Sequence, residues 1–129
     1  MGKPGHTGLT RIIKAFGFSM KGFRAAWRHE SAFRQETTLA LVLFPAAIWL
    51  GQNSAQTLLL IGSLFLVVVV ELINSAIEAA VDRISNKAHK LSGRAKDLGS
   101  AAVFLALIQV LIIWATIAVE RFAPEIFPF

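Results

Sequence analysis

Five polar residues, Glu71, Asn74, Ser75, Glu78 and Asp82, fall at offsets of 0, 3, 4, 7 and 11 in a run of otherwise apolar or small residues. Steps of three and four put them on one face of a helix, rising about 16 Å from first to last. Glu71 stands between Val70 and Leu72, and Glu71 and Asn74 lie only a turn or so from a long uncharged stretch. A carboxylate beside hydrocarbon is expensive, so it needs a partner or a task. A helix merely emerging from a bilayer accounts for Asp82 but not for Glu71. Two or three convergent carboxylates can hold Mg²⁺ with its waters and a polyphosphate. Two can also divide the work, one binding metal and the other accepting a proton. Glu71 is the deeper and the better placed as a base for a membrane-borne hydroxyl. Glu78 then faces metal and nucleotide on the water side.

The elements that must carry this stripe follow from where charge is missing. Thr37 to Val70 is 34 residues without a charge, and Leu98 to Val119 is another 22. Ten charged or histidine residues crowd the block from Glu71 to Asp97 between them. Charged residues make up only 16% of the 129-residue chain, against roughly 25% in a soluble domain. The 55% apolar content excludes disorder, and the absence of cysteine excludes disulfides and thiolate metal sites. About 20 apolar residues cross a bilayer. The second stretch does so once, and the first is broken at Gly51-Gln52-Asn53-Ser54.

The reading is a single all-α integral membrane domain over residues 1–129. A surface helix is expected over about 9–28, with transmembrane helices over about 32–50, 55–84 and 97–120. On the first helix Ile12, Ile13, Phe16, Met20, Phe23 and Trp27 alternate with Arg11, Lys14, Lys21, Arg24 and Arg28. That basic amphipathic pattern belongs in a membrane interface. It could serve nucleic acid, but nothing else in the chain suits a soluble binder, and no nucleic-acid partner is expected. Pro45 inside the second helix is tolerated in a membrane and often kinks it. Met1 to Arg34 carries seven positive charges and one negative, residues 83–96 add five positive, and Gly51 to Ser54 has none. The positive-inside rule places the N-terminus and the 85–96 loop in the cytoplasm and the C-terminus outside. There Arg121 is offset by Glu120 and Glu125.

Further candidates flank the stripe. Glu30 is the only acid among the first 35 residues, and it balances Arg28 or Arg34 if it does nothing more. In His89-Lys90-Leu91-Ser92-Gly93-Arg94-Ala95-Lys96-Asp97, the cations could neutralise transferring phosphates. Ser92 and Gly93 could leave backbone N–H groups free near a helix start. An ordinary positive-inside loop has the same composition. There is no Gly-x-x-x-x-Gly-Lys-Ser/Thr loop, no Gly-x-Gly-x-x-Gly and no His-Glu-x-x-His. Small residues at Ala76, Ala79 and Ala80, and at Gly99 to Ala102, permit close helix packing. Three short spans enclose little, so a site shared by several chains is plausible.

The segments Arg24 to Glu30, Ala32-Phe33-Arg34-Gln35-Glu36, Val70 to Arg83 and Leu91 to Ala102 together resemble the small prokaryotic diacylglycerol kinase family. Glu-Leu-Ile-Asn-Ser-Ala-Ile-Glu and Gly-Arg-Ala-Lys-Asp are its most specific runs, and the resemblance covers about residues 8–119. It implies an inner-membrane homotrimer with shared active sites, transferring the γ-phosphoryl group of MgATP to the diacylglycerol hydroxyl to give phosphatidic acid. By that resemblance Glu71 is the base, supported by Asn74, and Glu30 and Glu78 bind Mg²⁺ and the nucleotide phosphates. Arg11, Phe18, Lys87, Ala88, His89, Lys96 and Asp97 match nucleotide positions. Phe18, Met20 and Lys90 stand where tyrosine, tryptophan and an acid are usual. Ala32, Phe33, Arg34, Gln35, Glu36 and Ser100 border the lipid. A sister branch phosphorylates undecaprenol, although His89 to Ser100 looks more like the diacylglycerol branch. The reading from another class is a membrane structural protein with no catalytic role, which would have no use for the Glu71–Asn74–Glu78 stripe.

Overall fold

The first turn of the chain is made at one residue. Glu30, extended at φ −118° and ψ 104°, ends helix α1 (Gly8–His29) and begins α2 (Ser31–Leu50). The last carbonyls of a helix lack intrahelical partners. Here Arg34 Nη1 donates to the carbonyls of Trp27 (2.7 Å) and Arg28 (3.3 Å), so the start of α2 caps the end of α1. The structure, a computed structural model, describes residues 7–84 and 89–127. Its remaining elements are α3 (Ser54–Ile84), α4 (Lys90–Phe122) and a 3₁₀ turn, Pro124–Ile126. The result is an all-α bundle in which α3 is central, packed mainly against α4 and then α2.

The uncharged break between α2 and α3 is a tight corner. A Cβ on Gly51 would meet the backbone of Thr57 at 2.9 Å, so only glycine allows the approach. Asn53 Oδ1 accepts from the Gln56 N–H, and Gln56 Oε1 accepts from the Gln52 N–H, each at 2.9 Å. This reciprocal arrangement, akin to a capping box, satisfies donors at the start of α3. Pro45 lies within α2, which continues through it to Leu50.

Arg121 does more than balance nearby acids. From the end of α4 its Nη1 donates to the carbonyls of Trp49 and, at 3.1 Å, Leu50, capping α2. Its guanidinium also lies 4.7 Å from the Trp49 ring centroid and 5.6 Å from that of Phe122. Glu120 accepts instead from Gln56 Nε2 at 2.8 Å. Beneath these ties Ala47, Leu50, Leu60 and Ile117 form a small buried core. One turn deeper, Trp114 Nε1 donates to Ser63 Oγ (3.0 Å) and Gln109 Nε2 to the Ser63 carbonyl (2.9 Å), tying α4 to α3.

Helices α3 and α4 are long and apolar enough to cross a membrane, and only 28% and 11% of their most apolar stretches are buried in the chain. The rest of that surface requires an apolar solvent or other helices. α2 opens with Arg34 and Glu36 and is less uniformly apolar. On α1 the apolar positions Leu9, Ile12, Ile13, Phe16, Phe23 and Trp27 are exposed, and Ala26 alone is buried. α4 begins seven residues earlier than its expected start near Asp97. His89 explains the difference: its Nδ1 accepts the Leu91 N–H at 3.1 Å as an N-cap. The Gly93 N–H is bonded to the His89 carbonyl at 2.9 Å and is not free for an anion, contrary to the expectation for that loop.

Arg121→Ala should lower stability by about 1–3 kcal/mol, the usual cost of orphaning buried or half-buried hydrogen-bonding groups. Thermal unfolding in detergent checks this, and catalytic turnover per folded molecule should be unchanged because the residue lies at the end of the bundle opposite the carboxylates.

Candidate functional site

The polar stripe folds inward. Glu71 is 4% exposed and Asn74 8%, and Ser75 is also buried, whereas Asp82 is open to solvent. Helix α3 carries all of them, and its neighbours decide their surroundings. From α2, Glu36 contributes a further carboxyl, whose Oε2 is buried. From α4, Gly99 packs against Asn74, and a Cβ there would collide with Asn74 Oδ1. Asn74 Nδ2 donates along the stripe to Glu78 Oε1 at 3.3 Å. At the solvent end Lys96 Nζ meets Asp82 Oδ1 at 2.7 Å, which brings the basic start of α4 alongside the stripe.

Several buried oxygens in this region have no protein partner: Glu36 Oε2, Thr37 Oγ1, Asn74 Oδ1 and Ser75 Oγ. Buried polar atoms are normally paired. A cluster of orphans where two helices meet marks a place built to receive a polar group. Two hollows adjoin it. One, of about 570 Å³, lies between α1 and α3, and Glu30, His29, Ser75 and Ala79 are among its lining residues. The other, of about 240 Å³, is an apolar groove between α2 and α3 that starts at Thr37 and passes Leu41, Phe44, Leu64 and Val68. Val68 and Leu64 lie three and seven residues before Glu71, on the same face. The groove is therefore apolar along its length, and Glu71 follows its Val68 by one helical turn.

The expected site residues divide into two groups. Glu71, Asn74 and Glu78 are brought together on α3, with Glu30 at the rim of the adjoining hollow, and Glu36 on α2 has a buried Oε2. Phe33 is buried beside Phe23 and Trp27 of α1, and Arg34 is engaged at the α1–α2 corner. Arg11, Phe18, Ala32, Gln35, His89, Asp97 and Ser100 are exposed on the outside of this chain. Lys87 and Ala88 lie outside the described residues. Among the described residues no group of three or more His, Asp or Glu side chains converges as a ready-made metal cage. The donor set of Glu30 and Glu78 still suits Mg²⁺, which is usually held by one or two carboxylates together with substrate phosphates. Sequence spacing gave no sign of the Gly99–Asn74 approach, because it joins two helices. Gly99 was visible only as one of several small residues.

Comparison with known proteins bears on this arrangement. The family model described as prokaryotic diacylglycerol kinase matches residues 17–118, which contain the whole polar stripe. The chain belongs to that family. It is 53% identical over 116 residues to the diacylglycerol kinase of Escherichia coli K12, covering 90% of this chain and 95% of the relative. It is 51% identical over 113 residues to that of Pseudomonas aeruginosa PAO1 (88% and 92% covered). For the Haemophilus influenzae diacylglycerol kinase the identity is 48% over 111 residues (86% and 94%).

Gly99→Val should displace the Asn74 side chain and reduce turnover by on the order of 100-fold, the scale set by misplacing a catalytic group by about 1 Å. Gly93→Ala, where a Cβ meets nothing within 4 Å, should leave turnover within a few-fold of wild type. Steady-state assays on the two variants check the contrast.

Proposed function

We infer that this chain is an ATP-dependent diacylglycerol kinase that makes phosphatidic acid and ADP in a bacterial inner membrane. Its family and its relatives support the reaction class. The observation that carries the reading in this chain is the buried Glu71, one helical turn beyond Val68 of an apolar groove. A diacylglycerol molecule has matching polarity. Its acyl chain fits the groove past Leu64 and Val68, and its free hydroxyl then reaches Glu71.

Glu71 accepts the hydroxyl proton as the oxygen attacks the γ-phosphorus in line. The new O–P bond forms while the bond to the β-phosphate oxygen breaks, and ADP leaves with that electron pair. Asn74 holds the stripe in order by bonding Glu78, and Gly99 lets α4 close over it. Lys96 offsets phosphoryl charge once the nucleotide competes with Asp82 for its ammonium. Glu30 and Glu78 would hold Mg²⁺, which when bound supplies charge neutralisation to the phosphate oxygens. Exclusion of water by the surrounding apolar helices favours transfer to the lipid over hydrolysis.

The topology that suits this chemistry has α1 on the cytoplasmic surface and α2, α3 and α4 crossing, with the C-terminus in the periplasm. The charge-free Gly51 corner and the basic residues at the opposite end support it. The exposed nucleotide candidates Arg11, Phe18 and Asp97 and the lipid candidate Ser100 then serve the site of a neighbouring chain. That arrangement, together with the large exposed apolar faces of α3 and α4, supports a homotrimer with shared sites.

Transfer of label from MgATP to diacylglycerol and, separately, to undecaprenol in mixed micelles tests the acceptor. Labelled phosphatidic acid is the expected product, and label in undecaprenyl phosphate alone would move the chain to the sister branch. Glu71→Gln should reduce turnover by at least about 100-fold, the range for losing a general base, with MgATP binding retained. Turnover within a few-fold of wild type would remove Glu71 from that role. Glu78→Gln should raise the Mg²⁺ concentration required for half-maximal rate, measured by magnesium titration.

A further inference from the structure

A hollow of about 950 Å³ opens between α1 and α2, and its two walls differ in chemistry. On the α1 wall Lys21, Arg24 and Arg28 follow at steps of three and four, which sets three cations on one helix face. All three are exposed, and among the described residues none forms an ion pair with an acid. Arg34, the next cation along the chain, is spent on the carbonyls of Trp27 and Arg28. On the α2 wall Phe33, Thr37 and Leu41 recur every fourth residue and rise about 12 Å from first to last. Thr37 Oγ1 is buried without a partner. A buried hydroxyl in that state calls for a group to bond. Ala26 is the one buried residue of α1, so the helix is held to the rest of the chain over a small area and leaves the hollow open.

We propose that this hollow binds an anionic glycerophospholipid of the surrounding bilayer, with the phosphate on Lys21, Arg24 and Arg28 and an acyl chain along Phe33 and Leu41. The two walls match the two halves of such a molecule. Guanidinium groups suit phosphate oxygens, which they bond in pairs. Thr37 donates its hydroxyl to an ester carbonyl below the phosphate. Trp27 also lines the hollow, and its indole suits the headgroup depth. A neutral lipid would leave the three cations without a counter-charge. A nucleotide would leave the apolar wall unused, and no carboxylate lines the hollow to share a Mg²⁺ with it. Thr37 and Leu41 also border the α2–α3 groove, so the phospholipid lies across one ridge of α2 from the acceptor lipid. Bound there, it fills the space under α1 and holds that helix against α2. The proposal needs the membrane setting alone, and neither the acceptor nor the role of Glu71 enters it.

The test uses the full-length protein in phosphatidylcholine vesicles that contain a minor fraction of brominated lipid, which quenches tryptophan fluorescence on contact. Trp27 is the reporter, and the Trp27→Phe variant gives the signal of Trp49 and Trp114 to be subtracted. Brominated phosphatidylglycerol should quench Trp27 with a preference of at least about five-fold over brominated phosphatidylcholine, since one cation beside an anionic lipid is worth about 1 kcal/mol. Arg24→Gln should lower that preference by about five-fold. Arg11→Gln removes the same charge from α1 outside the hollow and should change it by less than about two-fold. Both side chains are exposed, and circular dichroism checks that both variants fold. Equal losses in the two variants would mean diffuse attraction to a basic helix and overturn the site. Equal quenching of wild type by the two brominated lipids would do the same without any variant. Quenching by brominated phosphatidic acid but not by brominated phosphatidylglycerol would make the hollow a subsite for the reaction product and overturn the assignment to a bilayer phospholipid. Relief of the quenching by MgATP would assign the cations to the nucleotide and overturn it as well.

Discussion

The fold depends on keeping the Glu71 carboxylate out of water at the edge of the hydrocarbon. A carboxylate there is tolerated only where neighbouring groups compensate for lost hydration. Helix α3 carries Asn74 and Glu78 on the same face, where Asn74 Nδ2 donates to Glu78, and α4 seats Gly99 against Asn74. The close approach of α4 thus acts on the stripe through Asn74. The 31-residue length of α3 has the same origin, since the helix must reach from the Gly51 corner through the apolar layer to Asp82 in solvent.

Elsewhere the chain buries little. Nine apolar residues are buried among the described residues, too few for a water-soluble bundle to offset its conformational entropy. The bilayer takes the place of a core, and helix association relies on packing and on scattered polar ties. Those ties gather at the corners: Arg34 on the end of α1, Asn53 and Gln56 at the start of α3, Arg121 on the end of α2. Ser63, Trp114 and Gln109 add a tie in mid-span, where unpaired polar groups would be most costly. Ties at both ends of α2 hold the bundle around buried oxygens that lack a protein partner.

Much of the candidate site could be read from periodicity alone. Glu71, Asn74, Ser75 and Glu78 share a helix face because α-helical geometry requires it, and that face proved to be the buried one. The helix boundaries were legible within a residue or two where Gly51 and Glu30 interrupt the pattern. They were not legible at α4, because Leu91 to Asp97 mixes charges and small residues that suit a loop or a helix equally. The decision there fell to the His89 side chain acting as cap. Arg34 and Arg121 read as local charge, yet both act on carbonyls of another helix, and a one-dimensional pattern does not encode such partners.

The sequence by itself determined the membrane character, the helical class, the basic amphipathic pattern of the first helix and the existence of a carboxylate stripe. These follow from composition and from the 3.6-residue period, which are properties of a single segment. Only the tertiary structure decided that Gly99 seats against Asn74, that Arg121 caps α2, and that an apolar groove opens between α2 and α3. Those are relations between helices distant in sequence. They depend on crossing angles and rotation about each helix axis, which side-chain packing sets only when the helices come together.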